Sequence, residues 1–296
     1  MWSKISAGLA ALSMLAGVAP AFASPSPASP APELNAPAFR APRSAVYEIT
    51  DGARAYKIYV AAPPGYNRRE NADRAYPVIY LNDGDLFFQA ASGAPLLSYF
   101  NETLEEVIVV GVSYAQDEDP IASRQRDLTP VIDRDFENAT GGAARYLALF
   151  ADEIIPLIER EYRADPARRT LAGHSLGAVF GLYAMFAQPS PFANYILVSP
   201  SLWYADYALG DFENDYAKSH GDLPARLYLA VGDLEGPNGG LVNFDMVNDE
   251  IAFAARLRAR NYESLRLKQE TLEGVDHAAA FPAAFLRALE WLYPAR

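Results

Sequence analysis

The sequence predicts an α/β fold: a mostly parallel, doubly wound central sheet flanked by helices, with two long cap-like loops. Three observations carry that expectation. Short apolar runs alternate with helical patterns along most of the chain, as βα units require. The run Val107–Val112 contains no polar residue, as expected of a strand buried on both faces of a parallel sheet. The 296 residues are 51% hydrophobic and 21% charged, a globular balance that can bury a sizeable core.

Residues 1–23 hold one charge, Lys4, then an apolar run from Ile5 to Val18 and the tripeptide Ala21-Phe22-Ala23. A cationic start, an apolar stretch too short to span a bilayer and an A-x-A site predict a secretory signal peptide. Residues 24–43 are mostly Ser, Pro and Ala, which bury little and favour extended polyproline conformations. They are expected to form a flexible leader, with the domain itself over 44–296.

Within that domain, Val46–Thr50 and Ala55–Ala61 read as early strands before the turn Pro63-Pro64-Gly65. Val78–Leu81 is a short apolar strand broken by Asn82-Asp83-Gly84, and Val107–Val112 is the next. A helical pattern covers about 142–162, where Leu147, Phe150, Ile154, Leu157 and Ile158 recur at spacings of three and four. Strand Arg169–Ala172, helix Leu176–Ala187 and strands Tyr195–Val198 and Leu227–Val231 follow. A helix over roughly Phe244–Arg260, strand Leu265–Thr271 and a helix over about Phe281–Tyr293 complete the pattern. The stretches 115–141 and 200–224 lack periodicity and are rich in Asp, Pro, Tyr and Arg. Loops this long are usually functional, so they are expected to cover the substrate.

Composition excludes several classes of function. Twenty-five Lys and Arg stand against 37 Asp and Glu, a net charge of −12. So acidic a surface repels phosphate backbones and anionic membranes, which argues against nucleic-acid partners and polybasic membrane roles. No stretch after the first segment is long and apolar enough to span a bilayer, so no stable membrane insertion is expected after signal cleavage. The chain is expected to be periplasmic or secreted. Cysteine is absent, which removes disulfides, thiol catalysis, iron–sulfur clusters and cysteine zinc sites.

Gly173-His174-Ser175-Leu176-Gly177 is a G-x-S-x-G sequence between an expected strand and an expected helix. A serine on so sharp a turn needs flanking positions without side chains, and the helix N-terminus favours negative charge beside it. Ser175 is therefore the expected nucleophile, and it needs a base. Three histidines are available. His174 adjoins the serine and should leave the turn in another direction, packing beneath it. His220 lies in the polar loop Lys218-Ser219-His220-Gly221-Asp222 and reads as solvated surface. His277 follows the last strand and Glu273-Gly274-Val275-Asp276, on the sheet edge where the serine turn opens, and is the expected base.

The base needs an acid, expected after strand Leu227–Val231 in Gly232-Asp233-Leu234-Glu235. Glu235 comes first because it lies further past the strand and reaches further; Asp233 comes second. Asp276 adjoins His277 too closely to orient it. The oxyanion needs donors, for which the backbone N–H groups of Leu176 and Asp85 are the candidates, with Gly84 letting the Asp85 backbone come close.

Six blocks occur in order: Tyr80-Leu81-Asn82-Asp83-Gly84, Arg126-Asp127-Leu128-Thr129-Pro130, the Ser175 turn, Ser199-Pro200-Ser201-Leu202-Trp203, Val231-Gly232-Asp233-Leu234-Glu235 and Asp276-His277. Together they resemble the “putative esterase” (esterase D-like) family of α/β-hydrolases, in the branch of the ferric-enterobactin and salmochelin siderophore esterases, over roughly Ser44 to Tyr293. The resemblance implies a serine carboxylesterase with an acyl-enzyme and no metal or organic cofactor. It carries over Ser175 as nucleophile, His277 as base, and Asp85 and Leu176 as oxyanion donors. Some members of that branch look like Ser-His dyads, which leaves the weight of Glu235 open. Ala178 stands where many relatives have a further glycine.

Arg124 and Arg126 are candidate substrate grips, since a guanidinium can hold an anionic or catecholate group by paired hydrogen bonds; the alternative is a network such as Arg126–Asp127 that fixes the loop. Trp203, with Tyr204, is a candidate aromatic wall for an aryl acyl group, or core. Phe87 and Phe88 fit a helix packed on the sheet. Asp233, Glu235, Asp245, Asp249 and Glu250 lack calcium-loop spacing and read as a solvated acidic face. The expected activity is hydrolysis of a small-molecule ester, of siderophore, other polyester or aryl type. The alternatives are acyl transfer by the same triad and a non-catalytic hydrolase-fold binding protein.

Overall fold

A computed structural model describes residues 40–237 and 244–295; the expected signal peptide and most of the leader lie outside the described residues. Residues from Ala41 onward form one unit. Eight strands make up its sheet: β1 (Ser44–Asp51), β2 (Arg54–Ala61), β3 (Tyr76–Leu81), β4 (Ile108–Val112), β5 (Ala164–His174), β6 (Asn194–Val198), β7 (Arg226–Gly232) and β8 (Arg266–Leu272). Their order is β1-β2-β4-β3-β5-β6-β7-β8. β1 with β2 and β2 with β4 are antiparallel, and every later pair is parallel. This is the mostly parallel α/β-hydrolase sheet that the alternating pattern predicts. β3, β4 and β6 are buried at every position, which explains their apolar sequences, broken only by Asn194 at the start of β6.

Alternate side chains of each central strand feed two cores. From β3, Val78 and Tyr80 join one and Ile79 and Leu81 the other. The first core packs against α4 (Ala143–Leu149), α5 (Ile155–Glu161), α6 (Leu176–Phe186), α8 (Leu209–Ser219) and α9 (Met246–Ala259), the second against α1 (Gly84–Gly93) and α10 (His277–Leu292). Covering both faces is what doubly wound means physically. Short helices α2 (Leu96–Phe100), α3 (Pro120–Asp127) and α7 (Tyr204–Tyr207) lie in the connections. No helix among the described residues is long and apolar enough to cross a membrane.

The structure corrects several element assignments. The pattern over 142–162 is α4 and α5 joined by a π-helical turn at Phe150–Ile154, because Pro156 at the start of α5 has no N–H to continue the ladder. The aperiodic stretch 115–141 contains α3, started by the Asp119 side chain accepting from Ala122 N at 2.9 Å. Its buried residues are Ser123 and Asp127, so no apolar stripe marks it. The stretch 200–224 contains α7 and α8. On the buried face of α8, Glu213 stands between Leu209 and Tyr216, held by Arg256 and Arg260, and so conceals the period. The last helix starts a turn earlier than expected, at His277, with Asp276 Oδ1 accepting from Ala279 N at 2.9 Å.

Candidate active site

The carboxyl ends of β3, β5, β6, β7 and β8 open on one edge of the sheet, and the residues that follow them form the site. After β5, Ser175 holds φ 59° and ψ −118°, a conformation that L side chains adopt at a cost. A side chain on Gly173 would strike the Gly177 carbonyl, so that glycine is a steric requirement of the turn, while one on Gly177 would press within 3.1 Å of the Asp83 side chain. Ser175 N donates to Val198 O at 3.0 Å, and its carbonyl accepts from Ala178 N and Val179 N, joining the turn to β6 and α6. The serine is half-buried, and Ala178 is fully buried.

After β7, a 3₁₀ turn at Asp233–Glu235 brings the Glu235 side chain back over the strand end. Its Oε2 lies 2.5 Å from His277 Nδ1, and its Oε1 accepts from Gly232 N at 2.8 Å and Ser199 Oγ at 2.6 Å. Glu235 is fully buried, so these donors replace the water it gave up. Asp233 takes a different part: its Oδ1 accepts from Gly274 N at 2.8 Å and Val275 N at 3.3 Å, tying down the loop that presents His277. Leu234 N donates to Val275 O, and a side chain on Gly232 would strike the same carbonyl. Asp276 caps the helix.

His174 packs with its ring centroid 4.4 Å from that of His277 and edge-on to Phe87 and Phe281. That contact puts the His277 ring beside the residue preceding Ser175. Burial pushes the His174 imidazole well below its ordinary range, and His277 and Arg124 add to it, so it stays neutral. His220 is exposed and stacks on Tyr216. Among the described residues the hydrogen-bond partner of Ser175 Oγ is Ser201 Oγ at 3.1 Å; no bond to His277 is made. Such bonds commonly tighten only with substrate.

Asp85 and Leu176 both lie in the first turns of helices, α1 and α6, where N–H groups have no intrahelical acceptor. The left-handed residue of the β3–α1 turn is Asp83 (φ 54°), while Gly84 is needed because a side chain there would strike Val112 of β4. Asn82 Nδ2 donates to Gly177 O at 3.2 Å, fastening this turn to the serine turn. The Asp85 carboxylate accepts from Tyr59 OH at 2.6 Å and Tyr114 N at 2.9 Å.

Arg124 and Arg126 point their donors at the protein. Arg124 binds buried Asp83 through Nε at 2.8 Å and Nη2 at 3.2 Å, and Nη2 also reaches His174 O at 3.1 Å. Tyr114 OH completes the set on Asp83. Arg126 binds both oxygens of Asp127 at 2.8 and 2.9 Å and pairs with Glu118. The loop-fixing alternative thus describes where both groups sit. Trp203 is half-buried and stacks on Phe244, centroids 4.1 Å apart and planes 4° from parallel. Phe87 and Phe88 are half-buried against α10 and Tyr59.

The acidic set is not a solvated face. Glu235 and Glu250 are fully buried, and Asp245 caps α9 through Asn248 N. Glu250 accepts from Gln269 Nε2 at 3.3 Å, and its Oε2 has no partner among the described residues. Burial pushes its carboxyl well above the usual carboxylate range, and the charge of Glu235 adds to the shift. Folded Glu250 therefore keeps a proton that the unfolded chain releases at ordinary carboxylate pH. Its contribution to stability is complete below that pH and is lost as pH rises towards the folded value. Glu250→Gln is expected to raise the thermal midpoint at about pH 8 and to change it little at about pH 5; equal shifts at both would contradict this.

Sequence reasoning gives no role to Ser199 or Ser201, yet their hydroxyls touch Glu235 and Ser175. A signal was present: two hydroxyl residues flanking a proline directly after an apolar strand that ends on the same edge.

The profile of the family described as “Putative esterase” matches residues 51–292. The ferri-bacillibactin esterase BesA of Bacillus subtilis (strain 168) is 27% identical over 256 residues, covering 81% of this chain and 86% of that protein. The siderophore enterobactin esterase of Emericella nidulans is 29% identical over 164 residues, 50% of this chain and 54% of that protein. Among solved structures, the BES protein of Bacillus cereus is similar with a TM-score of 0.75 at 25% identity, covering 88% of this chain and 99% of that one.

Proposed function

The chain belongs to the family described as “Putative esterase” and is a carboxylic ester hydrolase, and we propose that it cuts its ester through an acyl-enzyme on Ser175. The observation that carries this reading is the 2.5 Å contact of Glu235 with His277 Nδ1, beside the strained serine turn. With Nδ1 bound to the carboxylate, Nε2 is the basic nitrogen. It takes the Ser175 proton as Oγ attacks the ester carbon, while the N–H groups of Asp85 and Leu176 hold the oxyanion. The imidazolium, stabilised by Glu235, then protonates the departing alcohol as the ester C–O bond breaks. Water repeats the sequence: His277 accepts its proton, the acid is released and Ser175 recovers its hydrogen.

The oxyanion donors stay in place because Arg124 and Asp83 join the β3–α1 turn to the carbonyl of His174. Arg126 acts at one remove: it holds the Asp127 carboxylate that accepts from Tyr56 OH, the bond that ties α3 to β2. The Trp203–Phe244 stack supplies an aromatic wall for the acyl group. Two relatives are named for siderophore esters, so the substrate is a small-molecule ester of siderophore, other polyester or aryl type. Residues 1–23 act as a signal peptide and 24–43 as a leader, so the enzyme works outside the cytoplasm.

A substrate panel tests this reading: p-nitrophenyl acetate, a feruloyl ester and a catecholate trilactone. Turnover of at least one by the wild type, lost in Ser175→Ala, is expected. Turnover of none, or turnover retained in Ser175→Ala, would overturn it.

A further inference from the structure

We propose that Ser201 is a positioning residue for the nucleophile: its hydroxyl donates to Ser175 Oγ, so that the proton of Ser175 is left for His277. This rests on Ser175 being the attacking group. The Ser201 hydroxyl lies 3.1 Å from Ser175 Oγ, and its residue is 2% exposed. Its backbone N–H also reaches Ser175 O at 3.4 Å, so Ser201 holds the nucleophile residue at two points.

The segment that carries it is fixed at its other end. Ser199, fully buried with φ 48°, donates its hydroxyl to Glu235 Oε1 and its N–H to Ala230 O at 2.7 Å. Pro200, with its locked φ, separates the two serines by one residue. Ser199-Pro200-Ser201 is thus a short brace from the carboxylate that holds the base to the oxygen that attacks.

The direction of the bond follows from what each oxygen must do. Ser201 Oγ has Ser175 Oγ as its hydrogen-bond partner among the described residues, and a buried hydroxyl hydrogen without an acceptor is costly. Ser175 must keep its own hydrogen for the imidazole. With Ser201 as donor, one lone pair of Ser175 is occupied, its O–H is directed away from Ser201, and charge developing on Oγ meets a donor already in place. When the Oγ–carbon bond forms, the Ser175 proton passes to His277 Nε2 and Ser201 keeps its own.

The test uses the full-length enzyme with p-nitrophenyl acetate and a fluorophosphonate. Ser201→Ala is expected to lower kcat and the rate of phosphonylation at Ser175 each about tenfold, the worth of one hydrogen bond, with KM unchanged. Ser201→Thr, which returns a hydroxyl, is expected to recover most of the rate, whereas Ser201→Val is not. Wild-type rates in Ser201→Ala would overturn the proposal while leaving the role of Ser175 intact. Equal losses in the Ala, Thr and Val variants would assign Ser201 to packing and overturn it, as would a phosphonyl adduct on Ser201. A wild type that is not labelled at Ser175 would instead remove the reading on which the proposal rests.

Discussion

Ser175→Ala is expected to lower kcat/KM for p-nitrophenyl acetate by about 10⁴-fold or more, the scale on which a triad nucleophile acts. The loss is large because no other group occupies the same place on the turn. The backbone donors of Asp85 and Leu176 survive the change, so weak catalysis above the background in water remains. Stability should hardly move, because alanine keeps the same backbone at φ 59°. Ser175→Gly separates strain from chemistry. Glycine tolerates that conformation freely, so this variant should be as inactive as Ser175→Ala and more stable by about 1 kcal/mol. Both quantities can be read from one pair of proteins by turnover and thermal denaturation. An active Ser175→Ala enzyme would place the chemistry elsewhere.

Glu235→Gln is expected to cost about 10⁴-fold in kcat, as when the orienting acid of a triad is made neutral. The amide keeps the size of the side chain but cannot stabilise the imidazolium, and it can present an N–H where His277 Nδ1 requires an acceptor. If the chain worked as a Ser-His dyad, the same substitution would cost less than about tenfold. Glu235→Ala has a second consequence. It leaves the Ser199 hydroxyl and the Gly232 N–H without their acceptor in a fully buried place, at about 1–3 kcal/mol for each. The glutamine variant should therefore be folded and inactive, and the alanine variant inactive and less stable. A Glu235→Gln enzyme with near wild-type kcat would show that the 2.5 Å contact is structural.

Much of the sheet is legible in the sequence because β3, β4, β6 and β7 are buried on both faces, and a short run without polar residues fits few places outside a covered sheet. The serine turn is legible for a related reason: steric crowding leaves only glycine at position 173, so the physics is written in the composition. Two of the helices that escape notice carry polar groups on their buried face. α3 buries Ser123 and Asp127 and α8 buries Glu213; Asp127 and Glu213 are satisfied by partners far away in the chain. Periodicity cannot register a hydrogen bond to a residue so distant in sequence.

The same limit applies to the site. Chain order and loop position point to Ser175, Glu235 and His277, since each follows a strand that reads clearly, and the fold puts the last two in contact. The partners of Arg124 are not legible in the sequence, because Asp83 lies 41 residues away and becomes its neighbour only once β3 and β4 pair. From sequence, an arginine before a family block reads as a grip on the substrate; in the fold its Nε and Nη2 meet Asp83 and the carbonyl of His174, between the β3–α1 turn and the serine turn. Ser199 and Ser201 are harder still, because serine after a strand is common and only the three-dimensional meeting of β6, β7 and β5 gives each hydroxyl its partner.

Catalysis at Ser175 requires that the imidazole of His277 reach its hydroxyl and draw off the proton. The most direct measurement is the rate at which a fluorophosphonate phosphonylates Ser175, followed by intact mass and peptide mapping, in the wild type and in folded His277→Ala. A single adduct on Ser175 is expected, forming about 10³-fold more slowly without the imidazole. Equal rates in the two proteins, or an adduct on another residue, would mean that the two groups do not work together.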